Sequence, residues 1–168
     1  MRALFGASFT FLPGSVFMGK IKDYHDPQLL NVDLEVISGT PFKALPECWG
    51  KNVFFLYNGE HREGKFLAAA EVSVTSRDAD AIINQFCDLI EQHNPEAAGE
   101  WQNAESRTLD IGIESGLSRK VRCEIFKINL KPETIVRTTS HCISIAVSVY
   151  PLRIKKKGSK SLRLMYPD

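Results

Sequence analysis

Across residues 76–93, Ala79, Ile82, Ile83, Phe86, Leu89, Ile90 and His93 recur at spacings of three and four, while Asp80, Asn84, Asp88 and Glu91 fall between them. That period draws one apolar stripe along an α-helix, and such a stripe must be buried against a larger surface. The ends of the helix are also marked. Thr75 or Ser76 can accept from the free amides of the first turn, Asp78 and Asp80 suit the positive end of the dipole, and Pro95 stops the helix after Asn94. His93, on the stripe at the last turn, reads as a capping or satisfied core histidine.

The rest of the chain offers strands for that stripe to cover. In residues 3–12, Ala3, Phe5, Ala7, Phe9 and Phe11 alternate with Leu4, Gly6, Ser8 and Thr10, the period of two that marks a strand with Phe5, Phe9 and Phe11 inward. Residues 13–27, with Pro13-Gly14, Gly19 and Asp26-Pro27, read as a long loop. Leu30, Val32, Leu34 and Val36 alternate with Asn31, Asp33 and Glu35, giving a second strand with one wet face. Gly39, Pro41 and Pro46 then break the chain. Residues 53–57 and 65–74 pair as a hairpin around the turn-rich stretch 58–64, with Phe66, Ala68, Ala70, Val72 and Val74 on one face.

Alternation returns at Leu109, Ile111 and Ile113, in residues 121–129, and at Ile143, Ile145, Val147 and Val149. Pro132 and Glu133 suit the first turn of a short helix over 132–140, and residues 96–104 add a second short helical piece anchored by Trp101. The expected fold class is α+β: an antiparallel sheet of about six or seven strands packed on one long and one short helix. Residues 1–151 form a single domain, and 152–168 a basic C-terminal hairpin or tail of the same domain.

Composition limits the classes of function. At 168 residues, with 43% hydrophobic and 24% charged residues, the chain can bury a full core and is not a disordered polymer. No run approaches the ~20 apolar residues of a membrane span, so none is expected. The alternating first residues, Met1-Arg2-Ala3-Leu4-Phe5, suit a core strand better than a secretion signal. Cys48, Cys87, Cys123 and Cys142 lack CxxC spacing, and scattered cysteines in a domain of this size read as free thiols in a reducing, cytoplasmic setting. The net charge of +1 conceals an asymmetry: six bases and one acid from Leu152 onward carry +5, leaving −4 on residues 1–151.

Chemistry-bearing residues are sparse. Glu60 and His61, in the turn Glu60-His61-Arg62-Glu63, set an imidazole beside carboxylates, a combination suited to acid–base work if a pocket receives it. His141-Cys142 places a thiol beside an imidazole, but a nucleophile and its base normally arrive from separate elements, so a packed thiol and a helix-end histidine are expected. His25, His61 and His93 follow no metal-ligand spacing, and neither a metal nor another cofactor is expected. Lys155, Lys156, Lys157, Lys160 and Arg163 form a basic cluster able to meet phosphates, although only Tyr150 and Tyr166 are near it for stacking. No glycine-rich phosphate loop occurs.

From Ser76 to Pro151 the order of elements, together with Ile128-Asn129-Leu130-Lys131-Pro132-Glu133 opening a helix and an alternating strand closing at Tyr150, resembles a small bacterial domain family of unknown function. Proteins of that kind are similar to the immunity-type accessory proteins encoded beside toxins. The resemblance implies binding without catalysis and carries over no site residue. Three expectations follow: a non-enzymatic protein that binds a protein partner, with an acidic body facing a basic surface; a nucleic-acid-associated protein using the basic end; or a small hydrolase or transferase centred on His61. A homo-oligomer is compatible with all three, since one helix hardly covers a wide sheet.

Overall fold

The computed structural model describes residues 26–73, 76–115 and 126–151. The first described strand, β1 (Gln28–Ser38), alternates buried Val32, Leu34 and Val36 with the wetter Asn31, Asp33 and Glu35. A short helix, α1 (Ala44–Trp49), follows, although Pro41 and Pro46 mark this stretch as broken chain. Pro46 sits in the first turn, where a missing N–H costs nothing. The cap comes from elsewhere in the chain: the Glu100 carboxylate accepts from the amides of Lys43, Ala44 and Leu45 at 2.9, 3.0 and 2.9 Å. Burial pushes the Glu100 carboxyl up, yet those amides outweigh it and hold the group below its ordinary value.

The hairpin forms as expected, with β2 (Val53–Glu60) and β3 (Phe66–Val72) paired antiparallel. Its turn is shorter than the sequence suggests, because Asn58, Gly59 and Glu60 stay in the ladder. The turn closes with His61 N donating to Lys65 O at 2.7 Å. The amphipathic helix α2 (Ala79–Glu91) starts later than Ser76: Asp78 is the N-cap and accepts from Asp80 N. Its stripe of Ala79, Ile82, Ile83, Phe86, Cys87 and Ile90 is buried. Pro95, read as a stop, is also a start. It opens α3 (Pro95–Asn103), capped by Asn94 accepting from Ala97 N at 2.8 Å, with Trp101 buried.

Three further elements are β4 (Ser106–Ser115), α4 (Pro132–Ser140) and β5 (Ser144–Pro151). The strand order is β2-β3-β1-β4-β5, and β4 and β5 run parallel. The expectation of an antiparallel sheet is thus corrected to a mixed one. The chain between β4 and β5 passes through α4, and a crossover through a helix returns the next strand in the same direction. Five strands and four α-helices lie among the described residues, where six or seven strands and two helices were expected. Residues 126–129 belong to no strand, which corrects the described part of the strand expected over 121–129. The expected strand at 3–12, residues 121–125 and the basic segment 152–168 lie outside the described residues.

One apolar cluster joins the helices to one face of the sheet. It contains Val32, Leu34 and Val36 of β1, Ala68 and Ala70 of β3, Leu109 and Ile111 of β4, and Leu45, Trp49, Ile83, Phe86 and Trp101 from the helices. The side chains that alternate with these point to the other face. Among the described residues, no helix contributes a buried apolar side chain there. No helix of the described residues is long and apolar enough to cross a membrane.

Candidate functional site

The sheet face that no helix of the described residues covers carries its acids in register. Asp33 of β1 lies opposite Glu71 of β3 on one side and Asp110 of β4 on the other, so three carboxylates form one row across three strands. Glu35 extends this surface along β1, and Glu114 along β4. Side chains directly opposite on neighbouring strands stand about 5 Å apart, where like charges repel. The five strands contain six acidic residues and one basic residue, Arg107. Arg107 is opposite Val36 and so faces the helices, where its guanidinium donates to the carbonyls of Trp101, Gln102 and Ala104. Among the described residues, no ion pair includes Asp33, Glu35, Glu71 or Asp110.

Asn31 bridges two of the three acids. Its amide nitrogen donates to Asp33 Oδ1 and Oδ2 at 3.0 and 2.9 Å and to Glu71 Oε1 at 3.1 Å. Gly112 makes room for it, since a Cβ at that position would stand 2.1 Å from Asn31 Oδ1. Burial, the hydrogen bond shared with Glu71 and the charges of Glu71, Asp110 and Glu35 together push the Asp33 carboxyl up to about 7. Near neutral pH the Asp33 carboxyl is therefore only partly ionised. Asp110 Oδ1 is buried with no hydrogen-bond partner among the described residues, an acceptor without a donor in an acidic row.

Aromatic rings frame the acids. Phe54 of β2 lies opposite Glu71, Tyr57 of β2 opposite Ala69, and Tyr150 of β5 opposite Glu114, and all three are exposed. Beside the row, Leu30, Asn31, Glu71, Ser73, Ser76 and Ile82 line a cleft of about 160 Å³. That is small beside the ~300–1,000 Å³ of typical small-molecule sites. A broad acidic face with exposed aromatics suits a macromolecular surface carrying Lys or Arg: the carboxylates meet the charge and the rings meet the stems or the guanidinium plane. Comparison of the chain with protein-family models, with curated proteins and with solved structures finds no match. The site therefore rests on its own chemistry.

The residues singled out in the sequence lie elsewhere. Glu60 ends β2 and His61 opens the hairpin turn, both exposed, and among the described residues neither shares a side-chain hydrogen bond or ion pair with another titratable group. Tyr57 donates its hydroxyl to the Glu60 carbonyl. His25 and the cluster Lys155, Lys156, Lys157, Lys160 and Arg163 lie outside the described residues. His93 is the satisfied core histidine of the sequence reading. Its Nε2 accepts from Trp49 Nε1 at 3.0 Å, its ring packs 5.7 Å from both Trp49 and Trp101, and burial, with His141 nearby, lowers its pKa to about 4.

His141 closes α4 and pairs with Glu91 of α2 at 3.3 Å, and no hydrogen bond joins it to Cys142. Cys142 is exposed at a φ of 56°, which corrects the expectation of a packed thiol: the chain reverses sharply there to leave α4 for β5. Among the described residues, no three His, Cys, Asp or Glu side chains converge as metal ligands. The acidic row is what the sequence reading missed. Its signal was present as acids in the middle of strands, a position where charges are uncommon, but their mutual register was not.

Proposed function

We propose that this chain is a non-enzymatic binding protein that holds a basic partner protein against the acidic sheet face opposite its described helices, as an immunity-type inhibitor would. The observation that carries this reading is the in-register row Glu71, Asp33 and Asp110, which carries mutual repulsion and lacks any cation among the described residues. A partner's Lys or Arg relieves that repulsion and lowers the Asp33 pKa, so binding releases a proton. Phe54, Tyr57 and Tyr150 add apolar contact at the rim. The free thiols Cys48, Cys87 and Cys142 suit a reducing compartment.

The test is capture of partners from the native host with the wild-type chain and with the triple variant Asp33→Asn, Glu35→Gln, Asp110→Asn. We expect a basic protein whose association rate falls steeply between low and high salt and whose retention the triple variant abolishes. Capture of the same protein by both chains would refute the reading, and so would a partner without a basic surface.

A further inference from the structure

The helical layer stops short of β5. In one cross-strand row Leu34 and Leu109 are each 0% exposed while Ile145 is 38% exposed; in the next, Val32 and Ile111 are 2% and 1% exposed while Val147 is 56% exposed. Val149 continues the stripe at 64%. These residues point to the helix side of the sheet, whereas Ser144, Ala146 and Ser148 point to the other side. Among the described residues, the outer edge of β5 pairs with no strand. A free edge bearing three β-branched apolar residues recruits another strand unless it is covered.

We propose that residues 3–11 pair with the outer edge of β5 as a sixth strand, with Phe5, Phe9 and Phe11 laid over Ile145, Val147 and Val149. Both sides of the two segments match. The apolar side of residues 3–11 continues the exposed stripe of β5, and Gly6, Ser8 and Thr10 continue the small-residue side of Ser144, Ala146 and Ser148. The chain also reaches. Gln28 of β1 is level with Glu114 of β4, which is level with Tyr150 of β5, so the residues before β1 emerge at the C-terminal end of β5. The proposed position is three strands away from β1, about 14 Å, and a linker over residues 12–27 spans up to about 50 Å.

The other segments outside the described residues fit less well. Residues 116–125 begin after Ser115 and must return to Phe126, which lines a cleft with Leu29 and Ala79. Ten residues cannot run the eight-residue length of β5 and come back. A hairpin over 152–165 would extend beyond Pro151, past the end of the exposed stripe. At the opposite edge, the helix side of β2 already has Val53 buried and Phe55 partly covered, so it offers no uncovered stripe to three Phe rings.

The experiment uses the full chain in solution, with amide hydrogen exchange of residues 3–11 and nuclear Overhauser contacts from the Phe rings. Expected are exchange about a hundredfold slower than free coil across residues 3–11 and ring contacts to the methyls of Val147 and Val149. The single variants Val147→Asp and Phe9→Ser should each return residues 3–11 to coil-like exchange while β1 and β3 keep their protection. Coil-like exchange in the wild type would overturn the proposal. So would ring contacts to β2 instead of β5, or a dimer in which β5 pairs with a second copy.

Discussion

Replacing Asp33 with Asn should make the protein more stable at neutral to alkaline pH. The carboxyl titrates near 3.8 in the unfolded chain and near 7 in the fold, where burial, Glu71, Asp110 and Glu35 favour its protonated form. A raised folded pKa gives a favourable contribution that is complete below about 3.8 and is lost as pH rises through about 7. The rise from 3.8 to about 7 corresponds to about 4 kcal/mol. The group is only half-buried, so solvent screening reduces this to about 2 kcal/mol.

Asparagine imitates the protonated acid. It keeps an oxygen for the Asn31 amide and presents an NH₂ towards Glu71 where the shared proton sits. Urea denaturation of the wild type and the variant between pH 4 and pH 8, read as midpoint shifts at constant slope, measures the difference. It should be near zero at pH 4 and reach about 2 kcal/mol in favour of the variant by pH 8. A difference that does not change with pH, or one that favours the wild type at pH 8, would refute the reasoning. Such a gain would show that the acidic row is kept at a cost to the fold, as functional sites often are.

Acid should loosen the core through His93. Its folded pKa of about 4 lies below the unfolded 6.5, so the stability is present above about 6.5 and lost as pH falls through about 4, by about 1–2 kcal/mol after screening; a His93→Gln variant monitored by tryptophan fluorescence should lose that pH dependence. Arg137→Lys should cost about 1–2 kcal/mol in thermal denaturation, because one guanidinium joins Asn84 at 2.8 Å, Asp88 at 2.6 Å and Glu91 at 3.0 Å, a fork that an ammonium cannot reproduce. Gly112→Ala should displace Asn31, destabilise by about 1–2 kcal/mol and change the NMR titration of Asp33, whereas Gly99→Ala, which meets no neighbour within 4 Å, should leave that titration unchanged.

The sequence by itself determined the elements whose information is local. The stripe from Ala79 to Ile90 forms α2, the alternation at 30–36 forms β1, the residues flanking the turn form the β2–β3 hairpin, and Pro132 opens α4. Periodicity and capping act within a few residues, so they can be read without knowing the neighbours. Tertiary structure decided what depends on distant partners. Glu100 caps α1 from 55 to 57 residues away, which is why Pro41 and Pro46 suggested only broken chain. Alternation gives the faces of β5 but not its direction, and the crossover through α4 makes it parallel to β4. The acidic row is the clearest case. Asp33, Glu71 and Asp110 are separated by dozens of residues, and only strand register brings their charges together, because electrostatic energy depends on separation in space and not along the chain.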